Sequence, residues 1–205
     1  MDRDKSVHKL AIFGGSFNPV HHGHLIMAEM AQNQFGLDKV IFVPAGISPF
    51  KDEPAVSGQK RLKMLRLAIS RHPFFEASAI ELLRSGPSYT IETVKHFEKK
   101  YPGAKLFFLL GSDTFSEINR WHQAEDLIRK LIFLVALRSS SRITTPAGFR
   151  VKYKLISAPL IEISSTLIRK LLGSGKSIRY LVPDSVYRYI RREGLYGLAR
   201  TTEKN

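Results

Sequence analysis

The sequence predicts an α/β fold, a doubly wound parallel sheet with helices on both faces. Three observations carry this. Short apolar runs alternate with segments of helical period along the chain, the first run leads through a glycine-rich turn into a helix, and Gly14, Pro44 and Gly111 each close a strand. Such an arrangement is Rossmann-like, and its ligands belong at the carboxyl edge of the sheet.

The elements follow in order. Leu10, Ala11, Ile12 and Phe13 form a short apolar run ahead of Gly14, which suits a strand buried on both faces. Further strands are predicted at 40–44, 75–79, 106–110, 132–137 and 153–156. Helices are predicted at 22–35, where the apolar residues recur with helical spacing, and at 58–70, 90–100, 124–128, 165–172 and 183–193. Right-handed crossovers then give a parallel sheet.

No low-complexity linker or internal repeat divides the 205 residues, so one domain over 1–205 is expected. Flexible ends are expected at 1–9 and 198–205, and a small helical part at 157–197. A composition 43% hydrophobic and 24% charged is ordinary for a globular protein. No apolar run reaches transmembrane length and residues 1–9 lack a signal peptide's hydrophobic centre, so the expected compartment is the cytoplasm, with no membrane partner. The absence of cysteine excludes disulfides and thiol catalysis. Oligomeric state is left open, a homo-oligomer included.

The net charge of +14 is uneven: from Arg138 onward there are fourteen Lys/Arg against four Asp/Glu, before it eighteen against fourteen. A basic field suits an enzyme that gathers anionic nucleotides. It also suits a nucleic-acid binder, the non-enzyme alternative. Against that alternative, Arg191 and Arg192 fall on an amphipathic helical pattern, and there is no aromatic-rich RNA signature or zinc-finger spacing. No nucleic-acid partner is expected.

The segment Gly14-Gly15-Ser16-Phe17-Asn18-Pro19-Val20-His21-His22-Gly23-His24 joins the first strand to the first helix. Gly14 and Gly15 are expected to let the chain turn sharply and bring its N–H groups to an anion, with Gly23 doing the same at the helix entrance. The helix start adds unpaired donors and the positive end of its dipole. His21 and His24, three apart, can face one space, whereas His22 points elsewhere. Zinc is disfavoured, because the remaining histidines (8, 72, 96 and 122) are scattered and no cysteine is available; no protein-held metal is expected. The loop has neither the Gly-Lys-Ser/Thr ending of a P-loop nor the dinucleotide glycine spacing. Far along the chain, Ser164, Ser165 and Thr166 can cap a helix while offering hydroxyls and N–H groups to phosphate, with Arg169 one turn on.

The first motif resembles the His-x-Gly-His signature of a nucleotidyltransferase superfamily, and Ile163-Ser164-Ser165-Thr166-Leu167-Ile168-Arg169 resembles its second motif, Ile-Ser-Ser-Thr-x-Ile-Arg. Segments 61–65, 86–93, 108–113 and 177–183, with Trp121, narrow the resemblance to bacterial nicotinate-nucleotide adenylyltransferases across nearly the whole chain. The resemblance implies adenylyl transfer from ATP to nicotinate mononucleotide, giving nicotinate adenine dinucleotide and pyrophosphate in NAD biosynthesis. A sister enzyme acting on nicotinamide mononucleotide or another phosphorylated acceptor is the alternative.

It further implies His21, His24, Lys51 and Arg169 as catalytic residues. Gly14, Gly15, Ser16, Phe17, Gly23, Gly111, Asp113, Ser164, Ser165 and Thr166 would bind ATP, with Mg2+ carried on its phosphates. Asn18, Ser88, Tyr89, Thr90 and Trp121 would hold the pyridine mononucleotide, and the polar setting of Trp121 predicts an exposed indole. The sequence departs from the family pattern at Phe50, where His is common, at Asn18 for Asp, at Ser112 for Ala, and at 138–140.

Overall fold

The computed structural model describes residues 7–47, 56–137 and 143–198. Six strands, β1 (Lys9–Gly15), β2 (Lys39–Pro44), β3 (Phe75–Ala77), β4 (Lys105–Gly111), β5 (Ile132–Ala136) and β6 (Tyr153–Ile156), form one sheet in the order β3-β2-β1-β4-β5-β6. Every pairing is parallel. The order reverses between β1 and β4, and the crevice of a doubly wound sheet opens at that switch.

Both faces of the sheet are covered, which is why its strands read as continuous apolar runs. In β1, Ala11 and Phe13 face a core shared with α1 (His22–Phe35), α2 (Gly58–Ile69), α6 (Ser165–Gly173) and α7 (Asp184–Arg192). Leu10 and Ile12 face the opposite core, with α3 (Thr90–Lys100), α4 (Ser112–Phe115) and α5 (Ala124–Lys130). Helix α1 stops at Gly36, whose φ of 58° is the left-handed conformation that a glycine C-cap supplies at little cost.

Several boundaries differ from expectation. Lys9, expected in a flexible end, opens β1, and the carboxylate of Asp38 accepts from the N–H groups of His8 and Lys9. Strand β3 ends at Ala77 rather than 79, the Ser78 N–H donating the last bond of the ladder to the Phe42 carbonyl. The short α4 and the single 3-10 turns at Ile118–Arg120 and Leu195–Gly197 were not expected; elements of three or four residues are too short to show a period.

Gly14 and Gly15 are not the turn that the sequence suggested. They are the last two residues of β1, paired with Val43 and Pro44. What they supply is room: a Cβ on Gly14 would lie 3.1 Å from the Phe108 ring, and one on Gly15 3.2 Å from the Phe17 ring. The turn is made by Phe17, a non-glycine residue at φ 46°. Its ring, 1% exposed and set edge-on to Phe13 at 5.3 Å, holds that unfavourable backbone in place.

Candidate active site

The loop from Ser16 to His22 lies at the carboxyl end of β1, and Arg61, Ser165, Arg169, Leu181 and Tyr196 all bond to it. Arg61 of α2, 2% exposed, donates Nη1 to the Ser16 carbonyl at 2.7 Å, Nη2 to the Ala45 carbonyl at 2.7 Å and Nε to the Val56 carbonyl at 3.2 Å. One guanidinium thereby joins the ends of β1, β2 and the entry to α2. Burial lowers its pKa, while the nearby Tyr196 and Glu81 raise it. The Ala45 N–H donates to the Gly15 carbonyl.

From the carboxyl-terminal part, Arg169 Nη1 donates to the Asn18 carbonyl at 2.9 Å, Ser165 Oγ to the Pro19 carbonyl at 2.8 Å, and the Tyr196 hydroxyl to Asn18 Oδ1 at 2.8 Å. The His22 N–H donates to the Leu181 carbonyl at 3.0 Å. The two motifs, about 145 positions apart, therefore share one loop.

His21 is the N-cap residue of α1 and His24 its third helical residue. Their rings stack with centroids 3.6 Å apart and planes at 26°, so the two histidines do face one space. His21 is 2% exposed, and His24 is set edge-on to Phe17 at 5.0 Å. The His21 backbone N–H donates to His24 Nδ1 at 3.3 Å. An accepting Nδ1 puts the proton of the neutral ring on Nε2, so His24 presents an N–H donor without needing a positive charge. A Cβ at Gly23 would lie 3.1 Å from His21 Nδ1 and crowd that ring.

Ser164 is the N-cap of α6, its Oγ accepting from the Leu167 N–H at 3.1 Å. The N–H groups of Ser165 and Thr166 precede the first intrahelical bond and point out of the helix start. Thr166 Oγ1 accepts from Arg169 Nη2 at 3.2 Å, which orients the guanidinium from its second side. A shallow, solvent-open cleft lies beside His21 and His24, with Met27, Ala136, Pro159, Ile161 and Ile163 among its walls.

Of the residues expected around a pyridine ring, Asn18 belongs to the loop after β1, Ser88, Tyr89 and Thr90 lie at the start of α3, and Trp121 follows the Ile118–Arg120 turn. Trp121 is half-buried rather than exposed, because its indole sits edge-on to Phe108 at 5.5 Å, the ring that fills the space over Gly14. Tyr89, the N-cap of α3, lies against the His122 ring at 4.3 Å, and Thr90 opens the helix. Ser88 is buried, and its Oγ accepts from the Gly46 N–H at 3.1 Å. Behind it lies Glu81, whose carboxylate accepts from Thr93 Oγ1 at 2.7 Å. Burial pushes the Glu81 carboxyl up from the usual range, opposed by hydrogen bonds from Thr93, Ser88 and the Gly46 N–H and by Arg84. Gly111 is the N-cap of α4 and Asp113 lies exposed in its first turn. Lys51 lies outside the described residues.

Arg61, Glu81 and Tyr196 were not expected at the site. For Arg61 a signal existed: it shares the spacing of Met64 and Leu65 on the buried face of α2, where a charged residue needs partners. For Glu81 and Tyr196 nothing local in the sequence marks the contact.

A family model described as cytidylyltransferase-like matches residues 12–171. A nicotinate-nucleotide adenylyltransferase of Bacillus subtilis is 39% identical over 191 residues, covering 92% of this chain and 98% of the relative. The chain belongs to the nicotinate-nucleotide adenylyltransferase family. Within that family, a "probable nicotinate-nucleotide adenylyltransferase" of Caldicellulosiruptor saccharolyticus is 43% identical over 195 residues, with 92% and 98% of the two chains covered. The fold is shared by the Plasmodium falciparum nicotinic acid mononucleotide adenylyltransferase solved with NaAD, at a TM-score of 0.80, 22% identity and coverage of 94% of this chain and 98% of that one. Among the described residues of this adenylyltransferase-family chain, no helix is long and apolar enough to cross a membrane.

Proposed function

We propose that the protein transfers the adenylyl group of ATP to nicotinate mononucleotide, releasing pyrophosphate. The observation that carries this reading is the meeting of both motifs on one loop, Arg169 on the Asn18 carbonyl and Ser165 on the Pro19 carbonyl, beside the stacked imidazoles.

In the reaction a phosphate oxygen of the mononucleotide attacks the α-phosphorus of ATP, and the bond to the bridging oxygen of pyrophosphate breaks in line. The attacking oxygen is already ionised near neutral pH, so no general base is required. What opposes the step is repulsion between anions and charge gathering on the departing pyrophosphate. A cation about 4 Å from an anion gains roughly 4 kcal/mol at an effective dielectric near 20, so positioned donors dominate. His24 Nε2–H and His21 stabilise the phosphates around the reacting centre. Arg169, the Ser165 and Thr166 N–H groups and the Ser164 hydroxyl hold the β and γ phosphates. The apolar cleft walls suit the adenine ring, and Trp121 and Tyr89 suit the pyridine ring.

In this reading magnesium enters on the triphosphate itself, where it offsets phosphate charge.

The test is pyrophosphate release from ATP and Mg2+ with nicotinate mononucleotide or nicotinamide mononucleotide. Turnover with the nicotinate compound is expected to dominate. Turnover only with a different phosphorylated acceptor, or none, overturns the reading.

A further inference from the structure

Among the described residues three non-glycine positions have positive φ: Phe17, Gln123 and Tyr196. Two of them meet. Phe17 directly precedes Asn18, and Tyr196, at φ 61° and ψ 33°, donates its hydroxyl to Asn18 Oδ1 at 2.8 Å. Strained backbone persists where its surroundings over-determine it, and it gathers where geometry matters to function. Gly194 and Gly197, both at positive φ, bracket Leu195 and Tyr196, and Leu195, 6% exposed, anchors the turn in the core next to α6 and α7. The strain at Tyr196 serves to aim one phenol inward.

We propose that Tyr196 is a positioning residue for the nucleotide triphosphate, its hydroxyl fixing Asn18 so that the Asn18 carbonyl holds Arg169. Asn18 is 7% exposed and bonded on both sides, to Tyr196 through its amide oxygen and to Arg169 Nη1 through its backbone carbonyl at 2.9 Å. Thr166 Oγ1 takes Arg169 Nη2, so the Asn18 carbonyl and Thr166 together set the plane of the guanidinium fork. A fork recognises phosphate oxygens through its plane, so a tilt costs more than a small displacement. Burial pushes the Tyr196 hydroxyl's pKa up against the opposing charges of Arg169 and Arg61. It therefore remains a protonated donor across the working pH range.

The inference rests on reading Arg169 as a triphosphate ligand, and its test separates the two. Tyr196→Phe removes the donor and keeps the ring. Leu127→Ala, in α5 on the opposite face of the sheet, removes buried packing without touching Asn18 or the turn that carries Tyr196. Mg-ATP affinity is measured by calorimetry, Tm without nucleotide, and KM for each substrate by pyrophosphate release. Tyr196→Phe is expected to weaken Mg-ATP binding and raise the ATP KM about three- to tenfold, the size of one hydrogen bond, with the mononucleotide KM unchanged. Leu127→Ala is expected to lower Tm with Mg-ATP affinity kept. Wild-type affinity in Tyr196→Phe, or an equal loss in Leu127→Ala, overturns the proposal. A wild type that binds Mg-ATP but does not use nicotinate mononucleotide overturns the functional reading alone, and the calorimetric comparison still decides Tyr196. A wild type that binds no Mg-ATP overturns both.

Discussion

His24 has two ring nitrogens with separate tasks. Nδ1 accepts the His21 N–H and so closes the start of α1, which puts the proton of the neutral ring on Nε2, the nitrogen proposed to donate to a phosphate. Substitutions can divide these tasks. Asn places an oxygen near the Nδ1 position and keeps the cap, while Gln places an amide N–H near Nε2 and keeps the donor. His24→Ala is expected to lower kcat about a hundredfold or more, the cost of one transition-state donor. His24→Gln is expected to retain more kcat than His24→Asn, whereas His24→Asn is expected to retain more stability, by about 1 kcal/mol, the worth of a cap. Initial rates and urea unfolding read the two separately. Equal kcat in the Asn and Gln variants would show that Nε2 donates nothing to the reaction.

At the scale of elements, two loops at the crevice are clipped to each other through Gly46. A Cβ there would lie 2.5 Å from the Glu81 carbonyl oxygen and 2.7 Å from Ser88 Oγ. The first neighbour is backbone and cannot rotate away, so Gly46→Ala has to push the two loops apart. The expected loss is about 1–3 kcal/mol in urea unfolding, typical of overpacking. Because Ser88 precedes Tyr89 and Thr90, the mononucleotide KM is expected to rise more than the ATP KM; the reverse order in initial rates would detach this clip from the mononucleotide side.

The same contrast explains what could be read beforehand. Strands such as Leu106 to Leu110 are buried on both faces, so their apolar runs are visible in the sequence, as is the buried face of α3 with Ile91, Val94 and Phe97. The two motifs were legible because they are contiguous. The clip at Gly46, the Arg61 bridge and the Tyr196 contact each join residues far apart in the chain, 42, 45 and 178 positions, and no local pattern records such partners. Gly14 and Gly15 misled for a related reason: glycine signals a turn, but here it signals the approach of a ring from another strand or loop.

For the whole molecule the decisive quantity is charge. The chain carries +14, and the part from Arg138 onward, which includes Arg169 and α6, holds most of it. Arg61 and Arg169 both bond to the loop beside His21 and His24, so the local cations at the crevice reinforce the overall field. ATP and the mononucleotide are both anions, and each must approach through that field before any short contact forms. The long-range part is screened over about 8 Å at physiological salt, whereas hydrogen bonds already made inside the site are screened far less. Salt should therefore act on capture and spare the chemical step. Between low and about 0.5 M potassium chloride, kcat/KM for ATP is expected to fall roughly tenfold while kcat at saturation changes little. Sucrose at matched osmolality should leave both unchanged, which separates charge screening from viscosity and water activity. A parallel fall of kcat would place the salt-sensitive interactions within the reacting complex, and a flat kcat/KM would mean that the basic surface does not draw the nucleotide in.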